Sequence, residues 1–218
     1  MGELGGDPAE RTAERGRPLE PDPGNAGGGK TMKEKEKRFE TKILTEIVVF
    51  AALSAVLYAI RPYTLPYGGS ITLGSMVPVM WLALRRGVYV GVVAGVIFGI
   101  IALFIDIMFL GAASIIASPI QVILEYPIAF GVLGIAGVFQ KKTVSYAEAG
   151  VALSIFIKFM IHYLVGAFIW VYVYEFPREW GQFIWPAIYN GSFLLIEYIT
   201  SAILMAILVK RGTLEYAL

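Results

Sequence analysis

From Ile43 onward the chain is a succession of apolar segments separated by short polar or turn-rich pieces. Each segment is close to the roughly 20 residues that a helix needs to cross a hydrocarbon core of about 30 Å. Helices satisfy all of their backbone groups internally in such a core, so the pattern is that of an all-α membrane protein. Composition agrees, with 57% hydrophobic and 16% charged residues against roughly 25% charged in a soluble domain. Six transmembrane helices are predicted, at about 43–60, 70–84, 88–110, 115–139, 149–174 and 183–209. The second is short, contains Gly74 and is interrupted by Pro78, so it is expected to be broken or partly re-entrant.

Residues 1–40 differ in kind, being rich in Gly, Pro, Glu, Arg and Lys with Phe39 as their only aromatic residue. They hold too little apolar surface to order themselves. The expected domains are a disordered polar tail over 1–40 and a six-helix membrane domain over 41–218. With no short apolar core followed by a small-residue cleavage site, no secretory signal is expected. The tail stretch GNAGGGKT (24–31) fits the spacing of a phosphate-binding loop. A working loop of that kind follows a buried strand and opens a helix, whereas LEPDP precedes this one and MKEKEKRFE follows it. A flexible linker is the better reading. The chain has no cysteine, which removes disulfides and thiolate metal sites, and its net charge of +1 says nothing about partners.

Lys and Arg concentrate in cytoplasmic loops. Lys33, Lys35, Lys37, Arg38 and Lys42 precede the first span, Arg85 and Arg86 follow the second, Lys141 and Lys142 the fourth, and Lys210 and Arg211 the sixth. The opposite loops hold only Arg61 and Arg178. Both termini are therefore expected to be cytoplasmic, with loops 61–69, 111–114 and 175–182 external.

Ionisable groups within spans cost roughly 2.5 to 3.5 kcal/mol each on insertion scales and by default mark function. They are Asp106, Glu125, Lys158, His162 and Glu197, with Glu46 near a membrane edge. Glu125 lies in IQVILEYPIAF (120–130), one helical turn after Gln121. Counting along the spans at about 1.5 Å per residue puts Glu125 and His162 in the middle or outer half, near Tyr126, Trp170, Trp185, Tyr189 and Asn190. Lys158 falls deeper. His162, Gly166 and Trp170 recur every four residues, which places them along one side of a helix as a pocket wall. Taken singly, the histidine reads as interhelical packing, Trp170 as an interfacial residue, and Glu125 as half of an ion pair with Lys158. Together, a carboxylate, an imidazole, several aromatics and an amide at one depth point to a small-ligand site. Aromatic faces attract a cation by roughly 2 kcal/mol or more when desolvated, so an aromatic cationic solute fits. There is no HExxH and no Cys-His pairing, and the single histidine builds no multi-histidine metal site. Neither enzyme activity nor a cofactor is expected.

Four segments, VPVMWLALRRG (77–87), PIQVILEYPIAFGVLGIAGVF (119–139), KFMIHYLVGAFIW (158–170) and PAIYNGSFLLIEYI (186–199), resemble the thiamine-specific S components (ThiT family) of energy-coupling factor (ECF) vitamin transporters. The resemblance spans the membrane domain and excludes the tail. It implies an S-component bundle in a prokaryotic plasma membrane that captures thiamine from outside. The implied partners are a transmembrane coupling subunit and two cytoplasmic ATPase subunits, with hydrolysis outside this chain. By motif, Glu125 binds the aminopyrimidine, His162 hydrogen-bonds near it, Trp170 stacks on the ring, and Tyr126 and Asn190 complete the pocket. Trp185 stands where the family has tyrosine, Tyr63 and Tyr67 where members can offer tryptophan, and Ile115 and Ile116 where an aromatic is expected. These departures keep a thiamine precursor or related pyrimidine as an alternative ligand. Ala51, Ala55 and Ala59 recur every four residues, and small residues allow close helix approach. The resemblance implies that they contact the coupling subunit; packing within the bundle is the other reading, as it is for Gly91, Gly95 and Gly99. The remaining alternatives are an S component for another vitamin and a solitary ion- or proton-coupled carrier in which Glu125, His162 and Lys158 relay charge.

Overall fold

A computed structural model of the chain describes residues 23–139, 143–175 and 177–215. Helix α1 (Pro23–Ala59) leads into two short antiparallel strands, β1 (Tyr63–Thr64) and β2 (Ser70–Ile71), with Tyr63 opposite Ile71. Helices α2 (Val77–Arg86), α3 (Val88–Leu110) and the single turn α4 (Ala112–Ile115) follow. The remaining elements are α5 (Pro119–Val138), α6 (Val144–Phe168) and α7 (Gly181–Lys210). Contacts divide the chain into Met1–Lys42 and Ile43–Leu218. In the first unit the described residues are helical from Pro23, where composition predicts disorder. Glu34 and Arg38 are spaced for an i,i+4 pair, which favours helix locally, and the Thr41 hydroxyl donates to the Lys37 carbonyl at 2.8 Å. Gly24–Thr31 lies inside this helix rather than in a loop before one, so it lacks the form of a phosphate loop.

Among the described residues, five helices are long and apolar enough to cross a membrane. The exception is α2, which falls in the segment 70–84 that was expected to be broken or partly re-entrant. Its ten residues rise about 15 Å, half of a hydrocarbon core. The preceding stretch is β2 and the turn through Met76. Non-helical backbone persists at membrane depth only where protein buries and partners it. Ser70, Thr72, Ser75 and Met76 are buried, and the Thr72 N–H donates to the Glu197 carboxylate. The Thr72 hydroxyl accepts the Ser75 N–H at 3.2 Å and donates to the Ser75 hydroxyl at 2.8 Å. Pro78 falls in the first turn of α2, where a missing N–H removes no helical bond.

Span α5 is irregular for a readable reason. Ser118 caps it, its hydroxyl accepting the Gln121 N–H at 3.2 Å, and Pro119 opens it. Pro127 then offers no N–H, and its ring crowds the carbonyl four residues back, so Leu124–Ile128 widens into a π turn closed by an Ala129 N–H to Leu124 carbonyl bond. The glycine-containing stretch Val132–Val138 tightens into 3-10 geometry. Helix α3 supports α5 at close range: a Cβ at Gly95 strikes the Phe130 carbonyl, and one at Gly99 strikes the Tyr126 carbonyl. Gly91 packs on Ala83 and Gly134 in the same way. These glycines are contacts inside the bundle.

The alanines also turn inward. Ala51 is 0% and Ala55 7% exposed, which corrects the expectation of a docking stripe and leaves Ala59 alone at the surface. Two contacts set this rotation of α1. Glu46 pairs with Arg86 at 2.6 and 2.5 Å, and Phe50 stacks on Trp81 at 5.0 Å. The outward face carries Val48, Val49, Leu53 and Val56 instead.

Overpacking a close contact costs about 1 to 3 kcal/mol. Gly99→Ala is expected to lower the thermal unfolding midpoint in detergent, because the new methyl displaces the Tyr126 backbone. Gly191→Ala meets only Phe159 at 3.8 Å and is expected to leave the midpoint unchanged or raised.

Candidate functional site

A cavity of about 130 Å³ opens among α3, α5, α6 and α7, roughly ten times the space that one water needs. Glu125, Tyr126, His162, Trp170, Trp185, Tyr189 and Asn190 all line it. Tyr63 does not: it sits in β1, 58% exposed, because strand pairing turns it away. The side chain of Tyr67 lies outside the described residues. Ile115 lines the cavity, whereas Ile116 is exposed.

Glu125 is supported from three sides. The Trp170 indole N–H lies 3.0 Å from both carboxylate oxygens, and His162 Nδ1 stands 3.4 Å from Oε1. Gln121 Nε2 donates to Oε2 at 2.5 Å. Gln121 is itself buried, donating to the Ile115 carbonyl at 3.2 Å and accepting the Ala117 N–H at 3.0 Å. It thereby ties the loop before α5 to the carboxylate.

The predicted wall of His162, Gly166 and Trp170 forms by a different geometry. Helix α6 ends at Phe168, and Trp170 belongs to a 3-10 turn, Trp170–Tyr172. Its ring stacks on Tyr174 at 5.0 Å and 8°. Gly166 serves close approach: a Cβ there falls 2.7 Å from Pro186 and 3.3 Å from Asn190 Nδ2. Asn190 donates to the Pro186 carbonyl at 2.9 Å. On α7, Trp185, Tyr189 and Phe193 form an aromatic ladder with centroids 5.9 and 6.0 Å apart. Phe193 was findable from the four-residue spacing; Tyr174 lies past a helix end and carried no periodic signal.

The loop end closes over this chamber. The Tyr189 hydroxyl donates to the Pro66 carbonyl and accepts the Gly69 N–H at 3.0 Å. The Tyr174 hydroxyl donates to the Ser114 carbonyl. Asp106, which lines the cavity, is neutralised within the protein. Arg61 pairs with it, and the hydroxyls of Tyr58 and Tyr126 donate to Oδ2 at 2.9 and 2.8 Å. Arg61 had registered in the sequence only as a loop charge. Lys158 does not pair with Glu125 among the described residues. Its ammonium lies 3.4 Å from the Phe130 ring centroid, with no hydrogen-bond partner.

A membrane bundle enclosing an aromatic chamber around a supported carboxylate has the form of a small-molecule binding protein for transport. Residues 44–215 match the thiamine transporter protein family (Thia_YuaJ). Thiamine transporter ThiT of Lacticaseibacillus paracasei is 30% identical over 179 residues, 76% of this chain and 86% of that protein. The Bacillus subtilis thiamine transporter ThiT is 26% identical over 180 residues, 76% and 88% of the two chains. A solved structure of ThiT from Listeria monocytogenes superposes with a TM-score of 0.68 at 26% identity, covering 80% of this chain and 96% of that one. The chain belongs to the thiamine transporter family and is a multi-pass protein of the prokaryotic plasma membrane.

Removing one partner of a buried ion pair costs about 3 to 5 kcal/mol. Arg61→Met is therefore expected to destabilise the protein by that order in detergent unfolding, because Asp106 retains only its tyrosine donors. A neutral outcome would show that the pair is not needed.

Proposed function

We propose that this chain captures thiamine from the external side of the membrane. The observation that carries the proposal is the Glu125 carboxylate, held by Trp170, Gln121 and His162 inside a chamber walled by aromatic rings. The 4-amino group of the pyrimidine donates to Glu125, and the rings of Trp170 and Trp185 flank the two heterocycles. Cation–π attraction favours the positively charged thiazolium. Tyr126 and Asn190 complete the wall. The names of the relatives support the same ligand.

In this reading the chain is the S component of an ECF transporter and delivers its ligand to a coupling subunit and two ATPase subunits. The chain itself hydrolyses nothing. With Ala51 and Ala55 inside the core, the docking surface consists of other residues. In proteoliposomes, labelled thiamine is expected to accumulate only when the coupling subunit and ATPases are present with ATP. Uptake by the chain alone under a pH gradient or membrane potential would favour a solitary carrier.

Hydrogen bonds to a charged group contribute about 1.5 to 3 kcal/mol, or roughly ten- to a hundred-fold in affinity. Thiamine should quench the tryptophan fluorescence of the purified protein, and Glu125→Gln should weaken binding by that factor. Unchanged affinity in the variant would sink the role of Glu125. Ile115 occupies a wall position where an aromatic is expected, so the same titration with the isolated hydroxymethylpyrimidine precursor tests the alternative ligand.

A further inference from the structure

Two charged side chains at the inner end of the cavity have no place in the binding scheme above. Glu197 on α7 and Lys158 on α6 both line the cavity and are 1% and 3% exposed. One oxygen of Glu197, Oε1, accepts the Thr72 N–H. The other, Oε2, has no hydrogen-bond partner, and neither does Lys158 Nζ. No ion pair joins the two among the described residues. Glu197 follows Asn190 by seven residues, roughly 10 Å along the helix, and Lys158 precedes His162 by four, roughly 6 Å. They therefore lie on the far side of the chamber from the loop end, one to two turns below the level of His162. A buried carboxylate oxygen and a buried ammonium without hydrogen-bond partners are unfavourable, and a ligand that bonds both relieves the two at once.

We infer that Glu197 is a second ligand-reading carboxylate, whose Oε2 accepts a hydrogen bond from a donor–acceptor group of the ligand while that group's lone pair accepts from Lys158. With the amino group engaged by Glu125, the hydroxyl of thiamine has this chemistry: it donates through its O–H and accepts on its oxygen. The Thr72 N–H occupies Oε1 and leaves Oε2 as the carboxylate oxygen with no hydrogen-bond partner. Glu197 thereby selects for a donor at the inner end, as Glu125 does near His162.

The inference rests on the thiamine reading for its choice of ligand. Failure of the unaltered protein to bind thiamine would remove that reading, whereas binding indifferent to Glu197 would remove only this one. Dissociation constants are measured by tryptophan quenching on the full chain in detergent, for the unaltered protein, Glu197→Ala and Glu197→Gln. The ligands are thiamine, an analogue with hydrogen in place of the hydroxyl, and an analogue without the amino group. Both variants are expected to lose at least about tenfold in thiamine affinity, and the loss is expected to vanish with the analogue lacking the hydroxyl and to persist with the analogue lacking the amino group. Glu197→Gln keeps an oxygen for the Thr72 N–H and is expected to retain the unfolding midpoint, so it carries the test if the alanine variant does not fold. A Glu197→Gln protein that binds thiamine like the unaltered chain, or losses equal for all three ligands, would overturn the inference.

Discussion

Backbone that leaves the helix within a membrane must find its hydrogen-bond partners inside the protein, because lipid offers none. In this chain the irregular stretches are served by side chains. Glu197 takes the N–H of Thr72, Gln121 takes the N–H of Ala117 and bonds the carbonyl of Ile115, and Tyr189 spans Pro66 and Gly69. Glu197 and Tyr189 line the cavity themselves, and Gln121 reaches it through Glu125. The chamber and the broken backbone around it are thus one construction. A change to either is felt in the other, and the polar groups of the chamber cannot be counted as ligand contacts alone.

The intramembrane charges separate on the same basis. Asp106 is satisfied by Arg61 and two tyrosine hydroxyls, and Glu46 by Arg86, so both hold elements together. Tyr126 joins the two classes, since it lines the cavity while its hydroxyl is committed to Asp106. That bond, with the approach of Gly99 to its carbonyl, fixes the ring on both its backbone and its hydroxyl side. Lys158, Glu125 and Glu197 line the cavity.

The long spans were legible because their apolar runs exceed what any soluble element requires. Glu125 and His162, expected at one level from a rise per residue that is nearly constant along a helix, do meet at the cavity. In the segment before Val77 a break was legible from Gly74 and Pro78, but its form was not, because an apolar window looks the same whether its backbone is helix, strand or turn. Trp170 reached the predicted wall although α6 stops at Phe168, so the four-residue spacing was right about proximity and wrong about conformation. The alanines of α1 show a different limit: small residues serve a core and an interface equally well, and periodicity does not say which. Arg61 and Asp106, 45 residues apart, were each visible in the sequence, but their pairing is a tertiary fact.

The π turn at Leu124–Ile128 changes how this span has to be counted. A single residue taken up in a widened turn rotates everything after it by about 100° relative to an unbroken α-helix. Glu125 and the glycines from Gly131 to Gly137 therefore belong to two helical phases joined at Pro127. A helical wheel drawn through the whole span assigns one half to the wrong face. A relative with an unbroken α-helix here would align with this chain only through a one-residue gap near the proline.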